Sequence, residues 1–418
     1  MHLPEASASL PPSYLEKLPK TTHKIIQDVY DGKTPPDDAL ILIGNLLTES
    51  TKTFYTGGIQ TDWTTPDAEM LVRLTRDVWQ FSAAKNYQEM RDITLALRDE
   101  NGKLREWSDF KEASEKICDK FNETWLETEY NFAIAASQSA ARWNDFTKDK
   151  DKIPYLIFQT VGDAAVRPEH AKLEGLILHI DDPQLNKLWT PLDWGCRCEW
   201  LQYIGDFNGQ MEVPDVSIKP MFSTNLAKEG LIYPKGHPYY NGIPKSELHK
   251  AIAYLPPENT YIDVVIGNHE IKIHPLHGDI ELEKNIDSCN ILLKHDPKAK
   301  LELLPVLYES ELDIKAKFYS EDYVKKFKLK NADVKYNGKI VEFEEPSGKG
   351  NSIKNTLRNA KEQANTIIMR VDDDVDMKDV LRKINGQMNH YKDDIKYNDL
   401  EIFIMNNNEF IEYKKPKR

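Results

Sequence analysis

Tryptophan is missing from more than half of this chain: all eight (Trp63, Trp79, Trp107, Trp125, Trp143, Trp189, Trp194 and Trp200) fall within the first 200 of 418 residues. That absence excludes a uniform composition and divides the chain into two regimes. A long apolar run is also lacking. Nothing approaches the roughly 20 residues that span a bilayer, so no membrane association is expected. Cysteine is scarce, and Cys118, Cys196, Cys198 and Cys289 are too few for a disulfide scaffold. The close Cys196/Cys198 pair suits reduced thiols or two metal ligands, which fits an intracellular protein. The opening MHLPEASASLPPSYLEKLPK has no basic region followed by an apolar segment, so no secretion signal is expected. Excess positive charge is missing as well. A net charge of -13 and a pI near 5.4 argue against nonspecific coating of nucleic acid, but leave room for a local basic groove and hence for a nuclease.

What is present is a 48.3 kDa chain, about three times the size of a usual domain, with an ordinary globular balance of 40% hydrophobic and 29% charged residues. Residues 1–250 hold 28 Lys/Arg against 38 Asp/Glu, and residues 251–418 hold 27 against 30, so the acidity is concentrated in the tryptophan-bearing part. The expected organisation is an N-terminal helical arm (1–60), a mainly α domain with a small α+β module (61–205), a Gly- and Pro-rich linker (206–255) and an α+β domain (256–418). Helical spacing of apolar residues predicts long helices between about 65 and 145, broken by the DENGK turn at 99–103. Strand character then begins at PYLIFQTVG. In the last domain the pattern predicts a hairpin around Asn337-Gly338 and a helix over NSIKNTLRNAKEQAN. TIIMRV is read as a strand, DMKDVLRKINGQMNHY as a helix and the final stretch as a second hairpin. The sheet is expected to be largely antiparallel.

The first half carries a specific ordered pattern: Arg167-Pro-Glu-His170-Ala-Lys-Leu-Glu-Gly175, then Asp181-Asp182-Pro183, then Pro191-Leu-Asp-Trp-Gly195-Cys196-Arg197-Cys198, preceded by Asn131, Arg142 and Trp143 on a helix. This set resembles the Mu F-like phage head morphogenesis, or minor head, proteins. Leu192 stands where that family commonly has a second proline. The resemblance implies a phage or prophage protein made in the bacterial cytoplasm, associated with portal and head proteins and carried in the particle. It does not imply an enzyme. Independently of it, His170, Cys196 and Cys198 offer one imidazole and two thiols, three of the four vertices of a tetrahedral zinc, with His179, Asp193 or a partner residue left as candidates for the fourth. The alternative is a hydrogen-bonded His170 with the cysteines packed beside Trp194. Arg167, Arg197 and Asp181 are expected in an ion-pair network, and the tryptophans in the helix core.

The second half shows Ile273-His274-Pro275-Leu276-His277, Glu281-Leu282-Glu283-Lys284-Asn285, Leu303-Leu304-Pro305, Ala332-Asp333, Gly338-Lys339-Ile340-Val341-Glu342-Phe343 and Asn351-Ser352-Ile353-Lys354-Asn355, leading into Arg358-Asn359-Ala360 and Gln363-Ala364. This order resembles the C-terminal toxin domains of contact-dependent growth inhibition proteins of the tRNase-like kind. The resemblance implies an RNA-cleaving domain of barnase, EndoU, colicin or RelE type, acting on RNA, foremost tRNA, and countered by a small immunity protein with an acidic surface. RNA cleavage without a metal requires a base, an acid and cations around the phosphate. His274 and His277 are the candidate base and acid, with Glu342 to orient one of them. Lys349, Lys354 and Arg358 are the candidate phosphate cations, the last two one helical turn apart. No cofactor is required by that mechanism. The bland reading gives HPLH only a turn to shape. Asp333, Glu342 and Glu344 alternatively resemble the magnesium set of restriction-type nucleases, with Glu344 where a lysine would stand. The rival to any nuclease is a purely structural head protein with an eroded accessory domain. The Asp372–Asp376 run is read as a solvated turn in which Asp376 caps the next helix, and the KKPKR tail as a short basic end.

Overall fold

A computed structural model describes residues 8–33, 37–56, 63–207, 209 and 211–414, so most of the KKPKR tail and the start of the expected arm lie outside the described residues. The chain divides into two compact units, one of Met1–Thr61 with Arg73–Ile252 and the other of Asp62–Val72 with Ala253–Arg418.

The first unit is mainly helical. Leu18–Tyr30, Asp38–Thr56, the part of Thr65–Leu95 from Arg73 onward, Trp107–Asp119 and Leu126–Asp149 are its long helices. The DENGK turn lies where the sequence predicts, between the helices Thr65–Leu95 and Trp107–Asp119. A π-helical turn at Lys120–Trp125, absent from the sequence reading, has a visible cause. The buried Lys85 ammonium donates to the Phe121 carbonyl at 2.5 Å and pairs with Glu129, while Asn122 donates to Glu89 at 2.6 Å. These side chains bond to the widened turn from the neighbouring helix, the setting in which π turns occur. Trp79 is buried in the helical core as expected, whereas Trp189 and Trp200 are buried outside the long helices and Trp63, Trp107, Trp125, Trp143 and Trp194 are half-buried.

Attached to the helices is the small module, a three-stranded antiparallel sheet of order β2-β1-β3. Its strands are β1 (Tyr155–Gln159), β2 (Ile177–His179) and β3 (Glu199–Gln202).

The stretch expected to be an extended linker is folded. Phe222, Leu226, Ile232, Tyr233 and Tyr239 are buried, and the Tyr233 ring stacks on Phe81 with centroids 3.6 Å apart. The Asp77 carboxylate accepts the amides of Ile232 and Tyr233 at 2.9 and 2.7 Å. Irregular backbone has no period to read, yet here its aromatic side chains fill the helical core and its amides find a carboxylate.

The second unit is built on an eight-stranded sheet of order β11-β10-β9-β8-β7-β6-β5-β4. Its strands are β4 (Ile262–Ile266), β5 (His269–Ile273), β6 (Leu301–Leu303), β7 (Val334–Tyr336), β8 (Lys339–Glu344), β9 (Thr366–Arg370), β10 (Glu401–Met405) and β11 (Phe410–Glu412). The sheet is mixed, which corrects the largely antiparallel expectation: β5/β6, β8/β9 and β9/β10 run parallel. Each parallel pair is joined through a helix, Asp279–His295, Ser352–Ala360 and Met377–His390 respectively. A helix between neighbouring strands carries the chain back along the sheet and makes the next strand parallel. The Asn337-Gly338 hairpin forms as read, with both residues at positive φ (48° and 86°). Asp376 caps its helix by accepting the Lys378 amide. Ile353, Leu357, Ile367, Met369, Ile384 and Ile404 form one core between sheet and helices.

Candidate functional sites

In the first unit the sequence motif folds around a short helix, Pro168–Ala171, which buries His170, and a turn at Gly195 (φ 66°) that leads into β3. This brings the His170 Nδ1 to 3.7 Å from the Cys196 Sγ and 3.8 Å from the Cys198 Sγ. All three side chains are buried, and both cysteines are free thiols. Among the described residues this is the one group of three or more His, Cys, Asp or Glu whose ligand atoms lie within 4.8 Å of one another. A hydrogen bond from Cys198, with His170 alongside, holds the Cys196 thiol well below its ordinary range.

The sequence candidates for a fourth ligand stand elsewhere. His179 lies beside Asp181, and the Asp193 carboxylate is taken by Arg167 at 3.3 Å and Lys219 at 2.9 Å. The single ion-pair network expected of Arg167, Arg197 and Asp181 resolves into three separate pairs: Arg167 with Asp193, Arg197 with Asp163 at 2.7 Å, and Asp181 with Lys150 at 3.4 Å. Arg167 also donates to the Trp194 carbonyl, and Gly175 adopts a positive φ of 78°.

In the second unit the two histidines are buried at the exit of β5. The His274 Nδ1 accepts the Leu276 amide at 3.1 Å, and its ring lies edge-on to Tyr261 and Phe318. The His277 Nδ1 lies 2.7 Å from the Leu304 carbonyl, which makes that nitrogen the donor and leaves Nε2 to accept from the Asn285 amide at 3.0 Å. The same Asn285 amide donates to Asp333 at 2.8 Å, and the other Asp333 oxygen accepts the Phe343 amide at 2.9 Å. His277 is therefore tied through Asn285 to a carboxylate. Glu342 accepts from Gln363 at 2.5 Å.

Asp333, Glu342 and Glu344 act on one another and on Glu281. Burial, then the Glu281 charge, pushes Asp333 up to about 7. Burial with the neighbouring Asp333 and Glu344 charges pushes Glu342 well above its usual value. Burial and then Glu281 raise Glu344 to about 7. Their oxygens are near enough to repel, but they are not among the ligand groups converging within 4.8 Å. Lys354 and Arg358 lie one turn apart on the helix Ser352–Ala360, and Lys349 is exposed in the turn before it. Lys383 fastens that turn by donating to the Gly348 carbonyl at 2.5 Å.

Four contributors to this region had no role in the sequence reading. Glu281 and Asn285 stand one turn apart on the helix Asp279–His295, so their i,i+4 spacing inside the quoted motif was the available signal. Lys315 and Tyr323 gave none. The buried Lys315 ammonium donates to the Lys328 and Lys330 carbonyls, and the Tyr323 hydroxyl donates to the Gln363 carbonyl at 2.8 Å, pinning the segment that leads into Asp333.

Comparison with known proteins divides the chain in the same way. Residues 82–201 match the family described as Phage Mu protein F like protein, and residues 330–411 match the contact-dependent growth inhibition CdiA C-terminal domain. An N-terminal Mu F-like phage protein domain is fused to a C-terminal CdiA-type toxin domain. The chain is 39% identical over 59 residues to the Mu-like prophage FluMu F protein of Haemophilus influenzae, covering 14% of this chain and 14% of that protein. It is 33% identical over 73 residues to protein F of Escherichia phage Mu, a protein named for capsid assembly, covering 18% of this chain and 17% of that protein. The chain thus spans less than a fifth of either relative. No solved structure matches it significantly. The Mu F-like match takes in His170, Cys196 and Cys198, and the CdiA-type match takes in Asp333, Glu342, Glu344 and the Ser352–Ala360 helix. Among the described residues no helix is long and apolar enough to cross a membrane.

Proposed function

We propose that the chain is a phage or prophage minor head protein whose CdiA-type domain is a nuclease acting on RNA, with tRNA the foremost substrate. The observation that carries this reading is the electrostatically coupled carboxylate set of Asp333, Glu342 and Glu344 beside Glu281. A carboxyl group whose proton is half-dissociated near neutral pH can take a proton from a ribose 2'-hydroxyl or give one to a leaving oxygen. Lys349, Lys354 and Arg358 carry no ion pair among the described residues and supply the cations for the phosphate. In this reading His277 acts as a positioning residue through Asn285 and Asp333, and His274 packs the same turn. The Mu F-like domain would deliver the nuclease in a particle assembled in the bacterial cytoplasm with portal and head proteins. A small acidic immunity protein would cover Lys349, Lys354 and Arg358 in the producing cell.

The mutual repulsion of the carboxylates favours a second reading, in which a divalent cation such as Mg²⁺ neutralises Asp333, Glu342 and Glu344. The two are separated by incubating the full chain with total tRNA, with and without EDTA. Cleavage that survives EDTA and falls about 100-fold in Glu342→Gln supports the acid–base reading. Cleavage abolished by EDTA moves the assignment to the cation. Intact tRNA in both cases, together with normal growth of expressing cells, sinks the nuclease and leaves a structural head protein.

A further inference from the structure

We propose that His170, Cys196 and Cys198 hold one zinc ion in the Mu F-like domain, with the fourth coordination position open to a single small ligand. The geometry carries the proposal. With zinc–sulfur bonds of about 2.3 Å and a zinc–nitrogen bond of about 2.05 Å, a tetrahedral centre sets nitrogen–sulfur edges of about 3.6 Å. The two edges from His170 Nδ1 are 3.7 and 3.8 Å. A neutral imidazole nitrogen has one lone pair and satisfies one thiol donor, whereas here one nitrogen faces two sulfurs at nearly equal distance. Such equal approach is the arrangement of three ligands around a common centre.

Charge supports the same assignment. Two thiolates, a neutral imidazole and a dication sum to zero, so the filled site can be buried without a net charge. The three groups are buried, at 3%, 4% and 5% exposure for His170, Cys196 and Cys198. Two sulfurs and a nitrogen select zinc over the hard cations that prefer oxygen. The three ligands also line a cavity of about 10 Å³, together with Val161, Arg167, Gly195 and Arg197. That volume accommodates one water molecule.

The ion would tie two short elements that bury little by themselves, the four-residue helix Pro168–Ala171 and the Gly195 turn entering β3. Its role is a staple for this module, and it rests on no reading of the C-terminal unit.

The test uses the full chain expressed in zinc-containing medium. Elemental analysis after gel filtration is expected to give one zinc per chain, released in step with mercurial titration of the thiols. Replacement by Co²⁺ should produce a thiolate-to-cobalt charge-transfer band and the visible bands of a tetrahedral ion. His170→Ala and Cys196→Ser should each lower bound zinc at least tenfold. Because either variant could fold poorly, the cobalt spectrum of the native chain stands as an independent readout. A native chain that carries no zinc and gives no cobalt–thiolate band overturns the proposal. So does a Cys196–Cys198 disulfide in the chain as purified under reducing conditions.

Discussion

Raising the pH from 5 to 8 should loosen the β7–β8 hairpin, and Asp333 sets the size of the effect. Its carboxyl group titrates at about 7 in the folded chain against an ordinary 3.8, chiefly because it is buried and then because Glu281 is near. A pKa raised on folding means that the folded state holds a proton the unfolded chain releases. The associated stabilisation is fully present below the unfolded pKa and is lost as the pH rises through the folded one. The window therefore runs from about pH 4 to 7. A shift of roughly three units at 1.36 kcal/mol each amounts to about 4 kcal/mol. Glu342 and Glu344 are shifted in the same direction, so they add to the trend. Lys315 is drawn down to about 8 by burial and acts at higher pH, outside this comparison. Hydrogen exchange resolved to peptides over residues 331–345, corrected for the intrinsic pH dependence, reads the local opening free energy. It should fall by about 2 to 4 kcal/mol between pH 5 and 8. In Asp333→Asn the fall should be at least halved, even though the amide replaces one of two accepting oxygens by a donor. Opening free energies that are level across this range, or an undiminished slope in the variant, would refute the coupled-carboxylate reasoning.

Glu344→Lys replaces a negative charge that acts on Asp333 and Glu342 by a positive one, so it should lower both pKa values, flatten the same pH profile and, in the acid–base reading, lower tRNA cleavage at neutral pH about tenfold, an effect of about 1.4 kcal/mol on the barrier. An unchanged exchange profile would contradict the coupling. Asp77→Ala removes the acceptor of the Ile232 and Tyr233 amides and should destabilise the first unit by about 2 to 4 kcal/mol. Protease cleavage within 206–250 is the readout, and unaltered resistance would return that stretch to a linker. Lys315→Met should cost about 1 to 3 kcal/mol per carbonyl left without its donor, at Lys328 and Lys330, with faster exchange in 328–333. A native-like exchange rate there would mean that the lysine does not pin the segment.

Features written in short stretches of chain were legible directly. Asn337-Gly338 fixes its hairpin because those two residues accept the positive φ that the turn demands. Asp376 fixes a helix start because its carboxylate reaches the Lys378 amide two residues on. The parallel pairs were harder to read, although the helices and strands of 331–415 formed as read, because the direction of a strand depends on which neighbour it joins. The folded 206–250 segment escaped for a related reason. Phe222, Tyr233 and Tyr239 have no period, and only the helical surface containing Phe81 and Asp77 shows where they go.

The candidate sites divide along the same line. His170, Cys196 and Cys198 could be singled out from residue chemistry, but their common centre requires the Gly195 turn and the Pro168–Ala171 helix to meet. His274 and His277 drew attention because histidine titrates near neutrality, yet the His274 Nδ1 accepts within the turn and both His277 nitrogens are hydrogen-bonded, to the Leu304 carbonyl and the Asn285 amide. The raised carboxyl groups, Asp333, Glu342 and Glu344, sit on one hairpin and feel the Glu281 charge from a separate helix, and an isolated glutamate or aspartate in the sequence carries no sign of its shift.

The uneven distribution of tryptophan, the two ordered motifs and the local turn chemistry are properties of the chain as written, and they determined that two unlike domains are joined. Burial and the convergence of distant charges exist only after folding, because desolvation and Coulomb repulsion depend on distance in space. The tertiary structure alone therefore decided which histidines pack, which carboxylates couple and which sulfurs face one point.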